Sequence, residues 1–219
     1  LESHGVLVNV GERVQSFGGD GSVTQIVTDH GTYPADVVIL SIGISPNTQF
    51  LGNQLEKLPN GAIITNPAME TSIPGVYAAG DCSTVWHKLL NKPVYIALGT
   101  YANKQGRLAG DSVLGKSVCF QRALGTSMLR CMGLELAKTG LGEVECQTNH
   151  IPYQTKTVQT RSHARYYPDP CTLTIKLCYQ PEDHILLGAQ IMGAKEAACR
   201  IDTFACAIDQ KMSTEELGL

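Results

Sequence analysis

No apolar run in the sequence approaches the roughly 18 residues that a membrane-spanning helix requires, and the first thirty residues lack the basic-then-apolar order of a signal peptide. A soluble, cytoplasmic chain that engages no membrane is expected. The eight cysteines include no CxxC pair and no histidine stands at ligand spacing from them, which argues against a metal site and against a disulfide framework. Free thiols packed as small apolar groups in a reducing compartment are expected instead. No GxGxxG occurs, so the phosphate-cradling turn of a dinucleotide site is missing. Charge is scarce too: 17% of residues are charged, against about 25% in ordinary soluble domains. With 17 basic and 20 acidic side chains the net charge is −3, which excludes a polycationic nucleic-acid binder and a disordered tail. A surface so poor in charge implies that part of it is covered by something else.

What is present is 219 residues that are 43% hydrophobic, enough for about one and a half domains of roughly 150 residues each. The first residue is Leu1, not Met, which implies a piece of a larger protein. Residues 5–40 read as β-rich: Gly5 to Val14 and Val23 to Val27 flank the Gly18-Gly19-Asp20-Gly21 turn, and a turn at Asp29-His30-Gly31-Thr32 leads into the apolar run Ala35 to Ile42. That run is continuous, as in a strand buried on both faces. A short helix and loop over residues 47–60, short strands at Ala62 to Asn66 and Gly75 to Ala79, and a helix from Tyr95 to Leu114 are predicted next. From Val118 onward alternation takes over, in Ser127 to Lys138, in His150 to Gln159 and in the hairpin-like pair Leu173 to Tyr179 and Ile185 to Met192. Ala197, Ile201, Phe204, Ala205, Ile208 and Met212 then recur on one face of a terminal helix. An α+β unit starting near residue 118 is the implied architecture.

The sharpest motif is residues 71–82, TSIPGVYAAGDC. A proline turn feeds an apolar strand, small residues occupy its end, and a single acid, Asp81, stands where ligands sit in open α/β sheets. There Asp81 can accept hydrogen bonds from sugar-like hydroxyls. A second pattern, Gly110 to Ser117, fits GxxxxGK[ST], but a helix precedes it and a β-like stretch follows. A phosphate-binding loop needs the opposite order, so a helix end capped at Gly115 is predicted.

Residues 71–82 resemble the second flavin-binding motif of the pyridine nucleotide-disulfide oxidoreductases, whose aspartate contacts the ribityl chain of FAD. Ala35 to Asn47 resembles the strand and loop that close the NAD domain of that family, and it precedes the flavin motif, as the family order requires. Tyr95 to Arg107 is similar to the helix that follows in the family. The resemblance implies Gly80, Asp81, Ala97 and Leu98 as cofactor-binding residues, with the last two at the helix start, where backbone N–H groups stabilise charge on a reduced flavin edge. The final hundred residues resemble the family's dimerisation domain. Within the family, Thr160 to Pro168 looks most like the coenzyme A disulfide and persulfide reductases, where a dimerisation-domain tyrosine reaches the partner subunit's substrate channel. Tyr166 and Tyr167 are then the candidate substrate residues, with Arg161, His163 and Arg165 able to meet phosphates. Asn103 falls where those enzymes place a substrate-facing polar side chain.

The implied fold is α/β plus α+β: the tail of an NAD(P)-binding domain over 1–45, the second segment of an FAD-binding domain over 46–117, and an antiparallel-sheet dimerisation domain over 118–219. The implied cofactors are FAD and NAD(P)H, in a homodimer that reduces coenzyme A disulfide, a persulfide or another small disulfide. An NADH oxidase or peroxidase, whose cysteine cycles through sulfenic acid, is the alternative within the family. A dimerisation module without activity of its own is the alternative outside it. No catalytic residue is expected in this chain, because the family's redox cysteine lies toward the amino terminus and Cys82 merely neighbours the flavin motif.

Overall fold

Turn chemistry shapes the start of the chain. In the computed structural model, which describes residues 1–218, strands β1 (Val14–Gly18), β2 (Gln25–Thr28) and β3 (Thr32–Pro34) form an antiparallel meander in the order β1-β2-β3. Phe17 faces Ile26, and a bulge interrupts the ladder between Val14 and Ser16. The Asp29 to Gly31 turn is closed by Thr28 N–H donating to the Gly31 carbonyl at 2.8 Å and by Arg13 N–H donating to the Asp29 carboxylate at 2.9 Å. Residues 1–44 form one compact unit and the chain from Ser45 onward a second.

Two expectations fail in the first unit. The strand predicted over Gly5 to Val14 begins only at Val14, and Ala35 to Ile42 forms no strand. Ile39 is 86% and Ile42 90% exposed. A strand buried on both faces needs hydrogen-bonding neighbours and a layer on each side. Among the described residues the Ala35 N–H donates to the Thr24 carbonyl at 3.0 Å, but no strand pairs along the run.

The second unit opens on irregular chain. A 3-10 turn (Gln49–Leu51) falls in the segment predicted as a short helix and loop, and only isolated bridges occur where strands were predicted at 62–66 and 75–79; they join Ile63 to Lys57 and Ser83, and Glu70 to Tyr77. Ala62, Ile63, Met69 and Ala78 are nevertheless buried, so the apolar pattern drives packing without a ladder. The hairpin β4 (Val85–His87) and β5 (Lys92–Val94) follows, then α1 (Gly99–Val113). Residues 95–98, predicted as helix, are irregular, and the helix starts only after the N-cap Leu98. At the other end Gly115 adopts φ +75° and its N–H reaches the Ser112 carbonyl at 2.9 Å. This is the capped helix end predicted there, and Lys116 is engaged with Asp111 at 2.6 Å.

The remainder is a five-stranded antiparallel sheet in the order β6-β7-β10-β9-β8, from β6 (Ser127–Cys131), β7 (Leu134–Gly140), β8 (Gln154–Arg161), β9 (Thr172–Tyr179) and β10 (Leu186–Gly193). The short α2 (Glu143–Thr148) links β7 to β8, and α3 (Ala197–Asp209) packs on β7 and β10. Alternation sorts the side chains. Ala137, Leu173, Ile175, Leu177, Ala189 and Ile191 join Ile201, Phe204 and Ile208 of α3 in the main core. Each fully buried side chain of this kind contributes about 1.5–3 kcal/mol. The other face presents exposed Leu129, Leu136 and Met192, adjacent by register, in an open groove of about 590 Å³.

The cysteines depart from expectation. Only Cys146 and Cys178 are buried, while Cys119, Cys199 and Cys206 are exposed. The buried pair has its sulfurs 3.7 Å apart, and burial pushes the Cys178 thiol up to about 12 and raises Cys146 as well. The two stay protonated and act as apolar packing. The exposed ones occupy positions outside the two core stripes, which alternation and helical period assign independently of residue type.

Candidate functional site

Gly80 and Asp81 sit at a turn whose shape depends on glycine, because Gly80 has φ +86°. A Cβ added to Gly80 would lie 3.7 Å from the Ala102 side chain, so the turn rests against the first turns of α1. Gln105, 2% exposed in α1, holds it: its Oε1 accepts the Gly80 N–H at 3.0 Å and its Nε2 donates to the Thr84 carbonyl at 2.8 Å. Ser83 donates to the Gly80 carbonyl from its N–H at 3.0 Å and its hydroxyl at 3.1 Å. The Tyr95 hydroxyl donates to the Asp81 carbonyl at 3.1 Å. The Asp81 side chain is exposed, and among the described residues its carboxylate has no hydrogen-bond or ion-pair partner.

The start of α1 is the second half of this patch. Leu98 supplies no side-chain cap, and the Tyr101 and Ala102 N–H groups turn back to the Leu98 carbonyl, so the N–H groups of Gly99 and Thr100 form the positive end of the helix. Ala97 and Leu98, both half-buried, line a cavity of about 360 Å³ with His87, Tyr95, Ile96 and Gly125. The Tyr101 hydroxyl accepts the N–H of Leu124 at 3.2 Å and of Gly125 at 2.8 Å, fastening α1 to the chain that enters β6. Gly80 thus rests against Ala102 of α1 and Asp81 is tied to Tyr95, while Ala97 and Leu98 line the neighbouring cavity that Tyr95 also lines.

His87 lies at its edge, buried, with its Nδ1 accepting the Leu90 N–H at 3.2 Å. Desolvation lowers it to about 4, so the ring is neutral at pH 7 with its proton on Nε2. Neither His87 nor Gln105 was singled out from sequence. Gln105 had a signal, a polar residue four positions after Tyr101 on the buried stripe of a helix; His87, in a short hairpin, had none.

The remaining candidates stand apart. Asn103 is exposed on α1, on the side away from Tyr101 and Gln105. Tyr166 and Tyr167 lie between β8 and β9, 85% and 59% exposed, with ring centroids 5.2 Å apart. β8 is the edge strand opposite β6, and among the described residues the two rings pack on each other and on His163, not on the Asp81 turn. Cys82 is half-buried and its thiol donates to the Ala79 carbonyl at 3.4 Å. Among the described residues no three His, Cys, Asp or Glu side chains converge on a metal position, and no helix is long and apolar enough to cross a membrane.

Comparison with known proteins bears on the family and the fold. The chain is 37% identical over 207 residues to the NAD(P)H sulfur oxidoreductase (CoA-dependent) of Pyrococcus furiosus, covering 94% of this chain and 47% of that protein. It is 30% identical over 221 residues to an NADH oxidase of Enterococcus faecalis, covering all of this chain and 50% of that one. Among solved structures, the NAD-dependent persulfide reductase from A. fulgidus superposes with a TM-score of 0.93 at 30% identity, over 99% of this chain and 40% of that one. The water-forming NADH oxidase from Lactobacillus brevis also gives 0.93, at 28% identity, over 100% and 48%. The chain spans about half the length of the curated relatives it matches. Residues 1–106 match the model of the pyridine nucleotide-disulphide oxidoreductases and residues 129–219 that of their dimerisation domain, and the chain belongs to this family.

Proposed function

We propose that this chain is the carboxyl-terminal portion of an FAD-dependent NAD(P)H:disulfide oxidoreductase that reduces coenzyme A disulfide or persulfide. The observation that carries the reading is the Asp81 turn: an unengaged carboxylate on a glycine turn that Gln105 fastens to α1, whose start has no side-chain cap. These residues fit a flavin nucleotide. Without a Cβ at Gly80 the turn can lie close against Ala102 of α1, and Asp81 is free to accept hydrogen bonds from ribityl hydroxyls. Bound there, FAD supplies two-electron transfer between nicotinamide and a sulfur substrate. The protein's part is to orient it: Asp81 fixes the sugar-like chain, and the α1 dipole at Ala97 and Leu98 stabilises negative charge on the adjoining edge.

In this reading residues 1–45 end an NAD(P)-binding domain, 46–117 complete an FAD-binding domain, and 118–219 dimerise. The apolar outer face of the sheet, with Leu129, Leu136 and Met192 exposed, supports a homodimer. Tyr166 and Tyr167 serve the partner subunit's substrate channel, and Asn103 faces substrate from α1. Arg161 and Arg165 are exposed and have no ion pair among the described residues, which leaves both cations available to coenzyme A phosphates. That feature favours coenzyme A chemistry over the NADH oxidase reading suggested by the E. faecalis and L. brevis relatives. None of the eight cysteines is assigned as the redox thiol. Cys82 is tied to its own turn, and Cys146 and Cys178 are held protonated.

The test is made on the full-length protein. NADH-dependent reduction of coenzyme A disulfide, well above oxygen consumption, is expected; the reverse ratio overturns the substrate. Absence of bound flavin in the full-length protein leaves only a dimerisation module. Asp81→Ala should weaken FAD retention about tenfold, the worth of one charged hydrogen bond. Unchanged flavin content in that variant refutes the role of Asp81.

A further inference from the structure

The loop between β8 and β9 is tied at its base, where Ser162 N–H donates to the Cys171 carbonyl at 2.8 Å and Cys171 N–H donates to the Ser162 hydroxyl at 3.1 Å. Within the loop His163 makes the cross-connections. Its Nε2 is 3.0 Å from the Pro168 carbonyl, which can only accept, so Nε2 carries a proton. Its Nδ1 lies 2.9 Å from the Ser162 hydroxyl and 3.3 Å from Glu196 Oε1. Glu196 is held in turn by Arg200, at 3.0 Å, and Arg200 also donates to the Ser162 carbonyl. The imidazole meets the Tyr167 ring edge-on, with centroids 6.0 Å apart and planes at 82°, and Tyr167 packs on Tyr166 at 5.2 Å.

Little else supports the two tyrosines. Among the described residues neither hydroxyl has a hydrogen-bond partner, and the recorded backbone bond at either residue is Tyr167 N–H to the Ala164 carbonyl at 3.1 Å. Asp169 and Glu196, on either side of the histidine's contacts, adopt φ +56° and +67°, which non-glycine residues accept only where surrounding contacts impose it. The loop therefore has a built framework whose centre is one imidazole, and whose outward product is a pair of open phenol hydroxyls.

We infer that His163 is the positioning residue of the Tyr166–Tyr167 pair, bracing the loop from the Pro168 carbonyl to Glu196 so that both hydroxyls are presented to substrate in advance of binding. This rests on the reading of those tyrosines as substrate contacts. Holding the loop ready lowers the ordering cost of binding, so its loss raises the apparent dissociation constant in proportion to the fraction of disordered loop.

The experiment compares His163→Ala and His163→Gln with the parent as flavin-loaded, full-length enzyme. One readout is the rate of trypsin cleavage after Arg165 and the other the kcat and KM for coenzyme A disulfide. His163→Ala should be cut about tenfold faster and show KM raised about five- to tenfold, with kcat within about twofold and flavin absorbance unchanged. His163→Gln keeps an amide donor for the Pro168 carbonyl and should recover most of both effects. Parent-like cleavage and KM in His163→Ala overturn the inference. Faster cleavage with unchanged KM instead refutes the substrate role of the tyrosines and, with it, the presentation proposed for His163. Should His163→Ala fail to fold, His163→Asn retains a donor toward Glu196 but cannot reach Pro168, and the same two shifts are expected.

Discussion

Residues 35–42 and strand β10 share an apolar texture and end in opposite states. In β10, Leu186, Leu187, Ala189 and Ile191 are buried, with β7 and β9 bonded on either side and α3 packed across. In the run 35–42, Val37, Ile39, Leu40 and Ile42 stand exposed without a strand partner among the described residues. The difference lies in what surrounds each run. A strand brings unpaired N–H and C=O groups with it, and hydrophobicity alone gives them no partners.

The comparison can be broken in four places. Ile208→Ala empties a fully buried position between α3 and the sheet and should cost about 2–5 kcal/mol in urea unfolding. A loss below about 1 kcal/mol would show that the carboxyl-terminal core is not the tightly packed partner it is taken to be. His87 comes next. Folded, it titrates near 4, below its ordinary 6.5, so between those values the unfolded chain binds the extra proton. Its contribution is fully present above pH 6.5 and is lost as pH falls toward 4, on the order of 3 kcal/mol in all. Urea midpoints across that range should fall less steeply in His87→Asn, and an identical slope would refute the burial argument. Gln105→Ala leaves the Gly80 N–H without its partner and the Thr84 carbonyl with only the Thr65 hydroxyl, at about 1–3 kcal/mol; flavin retention should fall with it. At the small end, Ile39→Glu should change the stability of this chain by no more than about 0.5 kcal/mol. A larger loss would mean that the run 35–42 is packed after all.

The same contrast explains how far the sequence could be read. The sheet of residues 127–193 and the buried face of α3 were legible because alternation or helical spacing marks each inward residue, whatever the distance along the chain to its partner. Gly115 was legible as a cap because αL geometry leaves glycine little competition. Strands at 62–66 and 75–79 were misread because an apolar segment looks the same whether it pairs along its length or through one bridge. In the candidate site, the carboxylate and glycine of the turn were visible in residues 71–82. The clamp by Gln105 was not, since 25 residues separate it from Gly80 and only the fold brings the two together.

Lys88, at the start of the turn between β4 and β5, grips the far end of α3: its ammonium donates to the Asp209 carboxylate and, at 2.5 Å, to the Asp209 carbonyl, across 121 positions of chain. The ammonium holds the Asp209 carboxyl below its ordinary range. This clasp also has a meaning in time. A contact that closes so long a loop bears a large entropic cost before it gains anything, so it belongs to the late side of the folding barrier. Replacing Lys88 with Met should therefore leave the refolding rate unchanged and speed unfolding. In chevron measurements the protein would let go sooner while folding as fast as before, which makes the clasp a device for how long the native state lasts.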